Sequence, residues 1–392
     1  MADYRVPAPR WKREAELVSG RARNSRAPVD RELPVDKVLL AIVLGITLFG
    51  AVMVYSASAI LAEKTYGSQF YFLGRQGIWA LVGLAAMAAA ICIDYRHYKR
   101  PVVVLSLLGV TVAMLAIVLL LPKVNGTHRW IRYGRYFSLQ PSEIAKLALV
   151  AFLGVYLEKY AREVGDFKRT FVRAASVGGV LIVLVAIEPD LGTALALGLV
   201  FVTMMYQAGT PSRFFMTLAV PVVPAITVML LVPWRFKRLL AFLDPWKYQA
   251  TYGFQPVQSM IAIGSGGPGG AGFAQGRQKL FYLPAPHTDF IFAVIGEELG
   301  LIGAATLVLL FGVLAWRGFR AARYAPDMFG QLLGVGLTTM IIAQAFFNIS
   351  VTLSLVPTKG IPLPFVSAGG SSLAISLFAA GVLLNVSKHG KA

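Results

Sequence analysis

The sequence predicts an all-α polytopic membrane protein with about ten transmembrane helices. Hydrophobic residues make up 57% of the 392 residues and charged residues only 14%, a balance that is rare in water-soluble proteins of this size. Apolar runs of about 20 residues recur along the chain, and each is long enough to cross a hydrocarbon core roughly 30 Å thick. The basic residues cluster beside these runs. The formal net charge of +18 therefore reflects membrane topology, and we expect no nucleic-acid binding.

Ten apolar segments qualify as membrane spans. They lie near residues 38–60, 77–94, 101–121, 141–158, 172–188, 190–208, 214–233, 290–316, 331–356 and 364–386. Only Glu188-Pro189-Asp190 separates the fifth span from the sixth, and proline with flanking carboxylates favours the end of one helix and the start of another. We assign residues 37–387 to this ten-helix membrane domain.

An even number of spans places both chain ends on one side of the membrane. The segments on that side contain 23 Lys and Arg residues, and the opposite connections contain 13. Because positive charge favours the cytoplasm, we expect both termini to be cytoplasmic. Residues 1–36 are polar and rich in Arg and Pro, which predicts a disordered tail, and residues 388–392 form a short cytoplasmic C-terminus.

The longest connection joins the seventh and eighth spans on the predicted extracytoplasmic side. It covers residues 234–289, and its 56 residues are far more than a helical bundle needs. Aromatic residues beside basic ones predict an ordered element at the membrane interface. Its glycine-rich segment, 264–272, lacks the Gly-Lys-Ser/Thr ending of a nucleotide-binding loop. We interpret that segment as a flexible flap or a turn near a substrate.

Polar groups at membrane depth carry a desolvation cost that their role must offset. Glu143 and Lys146 are three residues apart on one face of the fourth span, which predicts an ion pair facing the bundle interior. A structural bridge and a substrate contact explain this pair equally well. Asp190 opens the sixth span, and an N-cap explains it better than direct chemistry.

Asp289 lies directly before the eighth span, at the extracytoplasmic end of that helix. Burial would raise the pKa of this carboxyl and the helix dipole would lower it, so the group can be ionised and still reactive. A general base must be charged, accessible and near the proton that it takes. On the residues alone, an N-cap is the preferred explanation. Lys359, Arg235 and Arg238 are cations on the same predicted side.

Four motifs, in this order, resemble the SEDS family (shape, elongation, division and sporulation), and the resemblance covers nearly everything beyond the tail. They are Gln140-Pro141-Ser142-Glu143 with Lys146, Pro189-Asp190-Leu191-Gly192-Thr193, His287-Thr288-Asp289-Phe290-Ile291-Phe292 and Gly369-Gly370-Ser371-Ser372. Pro357-Thr358-Lys359-Gly360 is similar to the cell-division branch of the family rather than the elongation branch. The resemblance implies a ten-helix, SEDS-type fold.

The resemblance also implies a function, a peptidoglycan glycosyltransferase that polymerises lipid II, the undecaprenyl-diphosphate-linked disaccharide pentapeptide. It implies a place in the bacterial cytoplasmic (inner) membrane, at the division septum. Asp289 falls on the family's essential aspartate, which favours a general base over a cap. Substrate-binding roles follow for Lys359, Arg235, Arg238, His287, Thr288, Ser367 and Ser371. The implied partners are the growing glycan strand, a class B penicillin-binding protein transpeptidase and other membrane proteins of the division machinery.

The mechanistic hypothesis is an inverting transfer in which Asp289 deprotonates the acceptor hydroxyl and cations receive the departing diphosphate. The reaction requires no cofactor, a divalent cation (Mg²⁺ or Mn²⁺) being an open alternative, and no residue is assigned to a metal. Two other functions stay open. One is a lipid II flippase, for which Glu143 and Lys146 would supply a polar path, and the other is a non-catalytic scaffold that recruits a transpeptidase.

Three positions depart from the family pattern. Ala285 stands where the family often has Glu, so a helper carboxylate beside Asp289 is absent there. Ala274 replaces a frequent Gly and Ala368 a frequent Tyr, which affects local flexibility and packing. None of these changes alters Asp289 itself.

Overall fold

The computed structural model describes residues 34–122, 127–133, 137–280 and 282–390. The predicted disordered tail lies outside these residues, except for its last three. The described chain forms twelve α-helices and one two-stranded antiparallel sheet. The elements are α1 Lys37–Tyr66, α2 Tyr71–Cys92, α3 Pro101–Leu120, β1 Ile131–Tyr133, β2 Phe137–Leu139, α4 Pro141–Lys159, α5 Arg173–Ile187, α6 Leu191–Gln207, α7 Ser212–Leu230, α8 Pro233–Leu243, α9 Phe254–Gly266, α10 Ile291–Arg323, α11 Met328–Thr352 and α12 Gly370–Lys388.

Each of the ten predicted spans coincides with one long helix, namely α1 to α7 and α10 to α12. In the described part of the chain, eight of these helices are long and apolar enough to cross a membrane. The other two are α4, which carries Glu143 and Lys146, and α6, which has only 17 residues. The ten helices confirm the all-α class, and ten membrane crossings stay a prediction.

Local signals in the sequence set several helix ends. The Asp36 side chain caps α1 by accepting hydrogen bonds from the backbone N–H groups of Val38 at 3.1 Å and Leu39 at 3.0 Å. Gly67 ends α1 in a left-handed conformation (φ 72°), which glycine adopts without strain. Asp190 caps α6 through Thr193 N–H at 3.1 Å, so the predicted cap is confirmed.

The centre of the bundle consists of α4, α11 and α12, whose side chains are mostly buried. Glycines let the helices approach closely, as is common between membrane helices. A Cβ atom at Gly83 of α2 would lie 2.6 Å from Leu377 of α12, and one at Gly154 of α4 would lie 3.1 Å from Phe329 of α11. These contacts leave no space for larger residues, so the core is held at short interhelical distances.

The outer helices present apolar side chains away from the protein. Leu48, Leu81 and Leu120 are 71%, 70% and 87% exposed. Helix α7 is exposed along most of its length, packs mainly on α8, and contains Pro221 and Pro224. Such faces are stable against lipid and costly in water.

Both ends of the described chain lie at one end of the bundle. The backbone N–H of Asp36 donates to Ser387 Oγ at 3.4 Å, and the Asp36 carboxylate pairs with Arg317 at 2.8 Å. At the same end, the Tyr95 hydroxyl donates to Asp327 at 3.0 Å. The predicted even number of crossings requires this arrangement.

The described part of the long connection contains helices α8 and α9. The flexible-flap interpretation of residues 264–272 is wrong. A Cβ atom at Gly266 would contact the carbonyl of Gly296, and one at Gly270 would contact the carbonyl of Glu298. The glycines therefore pack directly on the start of α10, and the segment does not line the main cavity.

The acidic pair Glu297 and Glu298 anchors this connection to the bundle. Glu298 pairs with Lys279 at 2.6 Å and accepts from Ser56 Oγ of α1 at 2.7 Å. Glu297 accepts from the backbone N–H of Arg277 at 2.6 Å. Both glutamates are thus paired inside the bundle.

Candidate functional site

A cavity of about 980 Å³ opens at the end of the bundle opposite the chain termini. It is lined by all five connections that the sequence assigns to the extracytoplasmic side. Its walls come from residues around 66–79, 127–140, 189–192, 230–255, 285–290 and 357–370. The volume is at the upper end of the usual range for small-molecule sites.

Asp289 lies on this cavity, at the end of a firmly held segment. Asn348 Nδ2 donates to the backbone carbonyl of Asp289 at 2.8 Å, and Ser367 Oγ donates to the carbonyl of Thr288 at 2.6 Å. The N–H of Ala368 donates to the carbonyl of His287 at 2.9 Å. Helix α11 and the segment before α12 thus fix the backbone that carries the carboxylate.

The Asp289 carboxylate does not cap a helix. Phe290 is the N-cap of α10, and no side chain makes the capping hydrogen bond. In the described residues, no donor lies within hydrogen-bond distance of the Asp289 carboxylate. The preference for a cap is therefore wrong, because the carboxylate is directed to the cavity instead of the helix N–H groups.

The surroundings keep this carboxyl basic. Burial raises the pKa of Asp289 to about 6, against the lowering effect of the Arg129 charge, and Asp190 contributes a further increase. A carboxylate with this pKa is mostly ionised at neutral pH and is a stronger base than an ordinary aspartate.

Gly360 leaves the space that the Asp289 carboxylate occupies. A Cβ atom at position 360 would lie 2.8 Å from Asp289 Oδ2. Real Cβ atoms almost never come this close to another atom, so any side chain at this position would displace the carboxylate.

Asp190 is both a cap and a cavity residue. Its Oδ2 accepts from Gln140 Nε2 and from Thr193 Oγ1, both at 2.9 Å. Arg129 lies 4.0 Å from Oδ1 and donates to the carbonyls of Glu188, at 3.1 Å, and Pro189. The Asp190 carboxylate is therefore held in place by three neighbouring residues, Gln140, Thr193 and Arg129, and has little freedom to rearrange.

Lys359, Arg235 and Arg238 all line the same cavity as Asp289. The guanidinium groups of Arg235 and Arg238 lie over the Trp234 ring at 4.9 and 5.3 Å. Burial, together with the charge of Arg129, lowers the pKa of both arginines. Burial also lowers the pKa of Lys359, and Asp190 raises it.

His287 and Thr288 also line the cavity. The His287 ring lies 4.2 Å from the ring of Phe72. Burial lowers the pKa of His287 to about 4, and the charge of Arg75 lowers it further. His287 is therefore neutral at physiological pH. Thr288 Oγ1 donates to the carbonyl of Ala285 at 3.2 Å.

Ser367 and Ser371, by contrast, are not among the residues that line the cavity, and their predicted binding role stays a prediction. Ser367 Oγ is used by two backbone groups, since it also accepts from Leu363 N–H at 2.8 Å. Ser371 Oγ accepts from the backbone N–H of Gln140 at 3.2 Å. Both hydroxyls connect segments that form the cavity walls.

Glu143 and Lys146 form the predicted ion pair, with a separation of 2.8 Å, and both are buried. Lys146 Nζ also donates to Gln344, whose Nε2 donates to the carbonyl of Pro362 at 3.0 Å. Neither Glu143 nor Lys146 lines the cavity. The position of the pair favours a structural role over a substrate contact. Through Gln344, the pair supports the segment before α12.

Three cavity arginines were missed by the sequence reasoning, namely Arg75, Arg129 and Arg132. Arg75 lies just before the predicted second span, and the other two lie in the connection between α3 and α4. The sequence Arg129-Trp130-Ile131-Arg132, basic residues beside an aromatic one on the predicted extracytoplasmic side, was the available signal.

The cavity is strongly cationic. In the described residues, six Lys and Arg side chains line it, against two carboxylates, Asp190 and Asp289. No group of three or more His, Cys, Asp or Glu residues in the described part of the chain could hold a metal ion. The lining therefore suits an anionic ligand beside one basic carboxylate.

Comparison with known proteins agrees with the motifs. The family described as "Cell cycle protein" (FtsW, RodA, SpoVE) matches residues 36–392. A probable peptidoglycan glycosyltransferase FtsW of Geobacter metallireducens is 43% identical, over 91% of this chain and 95% of that protein. Stage V sporulation protein E of Bacillus subtilis is 41% identical, over 91% of this chain and 98% of that protein.

Two solved structures share the fold. One belongs to a peptidoglycan synthase complex that coordinates polymerization and crosslinking, with a TM-score of 0.74, 28% identity and coverage of 90% of this chain and 97% of that chain. The other is the rod shape determining protein RodA of Thermus thermophilus, with a TM-score of 0.65, 25% identity and coverage of 90% and 96%. The chain therefore belongs to the FtsW/RodA/SpoVE family of cell cycle proteins, the family that its motifs predicted.

Proposed function

We propose that the protein is a peptidoglycan glycosyltransferase that polymerises lipid II on the extracytoplasmic face of the bacterial inner membrane. The observation that carries the proposal is a basic carboxylate, Asp289, on a cationic cavity at one end of a membrane bundle. The names of the FtsW relatives support the same reaction.

Asp289 acts as the general base of the reaction. It accepts the proton of the 4-hydroxyl of an acceptor GlcNAc as this oxygen attacks the anomeric carbon of the donor MurNAc. The bond from this carbon to the diphosphate oxygen breaks, and undecaprenyl diphosphate leaves with the bonding electrons. Attack from the opposite face inverts the configuration and gives a β-1,4 linkage. The activated donor supplies the driving force, so no nucleotide is required.

Four cations stabilise the departing diphosphate. We call Arg129, Arg235, Arg238 and Lys359 the leaving-group cations. Arg129 acts on the pKa values of Asp289, Arg235 and Arg238, so these groups share one electrostatic environment. Negative charge develops on the diphosphate oxygen in the transition state, and fixed cations at low dielectric stabilise such charge strongly. Guanidinium groups also bind phosphate oxygens in a bidentate manner.

The lipid part of the substrate extends from the cavity into the bilayer. Leu230, at the end of α7, and Trp234, on α8, line the cavity. Helix α7 continues from this point with exposed apolar residues such as Val220 and Met216. A polyprenyl chain can pack on such a surface while its diphosphate stays at the cationic cavity.

A class B penicillin-binding protein is the proposed partner, with other division proteins around it at the septum. The solved synthase complex that combines polymerization with crosslinking supports a polymerase that works beside a transpeptidase. The FtsW relatives support the division site. Both chain ends are proposed to be cytoplasmic, with 1–36 as a tail and 388–392 as the C-terminus.

The test is polymer formation from purified lipid II. We expect Asp289→Asn to lower the rate by at least about a hundredfold, because general bases contribute rate factors of this order or more. Asp244→Asn is the matched control, since Asp244 lies in the same connection but does not line the cavity. Full activity of Asp289→Asn would refute the assignment of the base.

The flippase and the scaffold give different results in reconstituted vesicles. A flippase moves lipid II across the bilayer without forming polymer, and a scaffold does neither. The polar path that Glu143 and Lys146 would supply to a flippase is not supported, because this pair is sealed between helices and lies outside the cavity lining.

A further inference from the structure

A second group of cations lines the same cavity as the leaving-group cations. Arg75 on α2 and Arg132 on β1 form this group, which we call the distal cation pair. Arg75 Nη2 donates to Ser138 Oγ at 2.5 Å. Ser138 is directly opposite Arg132 in the antiparallel sheet, so both side chains project from the same face. The two guanidinium groups therefore converge.

The distal cation pair has no counter-charge in the described chain. Neither arginine makes an ion pair with a described residue. Their charges act on each other, and the charged neighbours that act on Arg75 include no carboxylate. Two adjacent like charges are unfavourable, and an anion between them removes this cost. The geometry thus points to an anionic ligand group with room for bidentate contacts.

Aromatic rings surround this pair. Tyr66 and Tyr71 stack at 3.9 Å, and the ring of Phe72 lies against both. On the other side of Arg75 along α2, Trp79 packs at 5.2 Å from Phe137. Flat aromatic faces bind the C–H faces of sugar rings, whose hydrogens carry partial positive charge. A cation pair beside aromatic rings suits a sugar that is linked to phosphate.

His287 and Asp289 are influenced by cations of different groups. The charge of Arg75 acts on His287, which also packs on Phe72. Two residues later, Asp289 is influenced by Arg129 and Asp190. The segment that carries the base is therefore influenced by Arg75 of the distal cation pair at His287 and by Arg129 of the leaving-group cations at Asp289.

We propose that Arg75 and Arg132, with the aromatic rings of Tyr71 and Trp79, bind the diphosphate-linked sugar of the acceptor substrate. This inference rests on the proposed function, in which the donor loses its lipid diphosphate and the acceptor keeps its own. Two diphosphates are then present in the cavity at once. The leaving-group cations receive the one that departs, and the distal cation pair retains the one that stays on the product.

The test counts bound diphosphates without turnover. Radiolabelled undecaprenyl diphosphate is titrated into the purified full-length protein in detergent. We expect two saturable equivalents for the unsubstituted protein and one for Arg132→Gln, which is safe for folding because Arg132 is exposed. Arg75→Lys retains the charge and should keep two equivalents, whereas Arg75→Gln should lose one.

Lys237→Gln is the matched control. Lys237 lies on α8 between Arg235 and Arg238 but does not line the cavity, so this variant should bind two equivalents. A single equivalent in the unsubstituted protein would overturn the proposal. Two equivalents in Arg132→Gln, or none, would also overturn it, because the proposal requires two independent sites of which this variant loses one.

A kinetic measurement separates this inference from the proposed function. Polymer formation by the unsubstituted protein tests the function, and the number of bound diphosphates tests the distal cation pair. In polymerisation, Arg132→Gln should raise the KM for lipid II about tenfold, with kcat changed less than about twofold, since a charged phosphate contact contributes to binding throughout the reaction. An unchanged KM would contradict the assignment to the acceptor.

Discussion

The basicity of Asp289 results from the burial of its carboxyl group near the charge of Arg129. Burial raises its pKa to about 6, and Arg129 keeps it from rising further. The free base is required for proton transfer. Activity should therefore be present above pH 6 and be lost as the pH falls through about 6, where the carboxylate becomes protonated.

Replacing Arg129 should shift the pH at which activity is lost on the acidic side of the profile, which we call the acid limb. Arg129 lowers the pKa of Asp289, so Arg129→Gln should shift the limb of kcat/KM to higher pH. The profile is measured by polymer formation from lipid II between pH 5 and pH 9. Arg169→Gln, at an exposed position far from the cavity, should leave the limb unchanged. A limb that stays in place in Arg129→Gln, or moves to lower pH, would contradict this electrostatic coupling.

At the scale of residues, the sequence predicted some of the charged groups that line the cavity and missed three arginines. Asp289 and Lys359 were placed correctly on one side because helix order alone determines which end of the bundle they occupy. Arg75 was missed because the sequence placed it in the connection before the second span, whereas α2 begins at Tyr71 and carries Arg75 to the cavity. The sequence could not reveal that the hydroxyls of Ser367 and Ser371 are hydrogen-bonded to backbone groups, because these contacts join distant parts of the fold.

At the scale of elements, the connection before α10 depends on a buried ion pair. Glu298 and Lys279 are 2.6 Å apart and almost fully buried. Glu298→Gln would leave the Lys279 charge without a partner, and we expect a loss of about 3 kcal/mol in the free energy of unfolding. The measurement is a thermal unfolding curve of the purified protein in detergent.

An exposed glutamate provides the comparison. Glu163 and Arg169 are 3.9 Å apart at the surface, where such pairs contribute little. Glu163→Gln should leave the unfolding midpoint unchanged. Equal midpoints for Glu298→Gln and the unsubstituted protein would mean that the buried pair does not stabilise the connection.

Hydropathy located ten helices but not all of their ends. Helix α2 begins at Tyr71, six residues before its predicted start, because Arg75 and Gln76 reduce the local hydropathy while facing the cavity. Helices α8 and α9 were predicted only as an ordered element, since they are short and lie outside the spans. Periodicity could not reveal that the glycine-rich turn packs on α10, because this contact joins distant parts of the chain.

At the scale of the whole molecule, alternating connections divide the protein into a cavity end and a terminus end. We expect the cavity end to be extracytoplasmic. In a Cys92→Ser background, Trp246→Cys at the cavity end should react with a membrane-impermeant maleimide on intact cells. Arg162→Cys at the terminus end should react only after permeabilisation. Both positions are exposed, and the reverse pattern would overturn the orientation.

The cavity draws on all five connections at its end, including the one between the last two helices. Lys359 and Gly360 belong to that final connection, so the wall around Asp289 is incomplete until α12 has been inserted. A nascent chain still leaving the ribosome therefore has no working centre. The reaction centre is thus completed last, when the final connection and helix are in place.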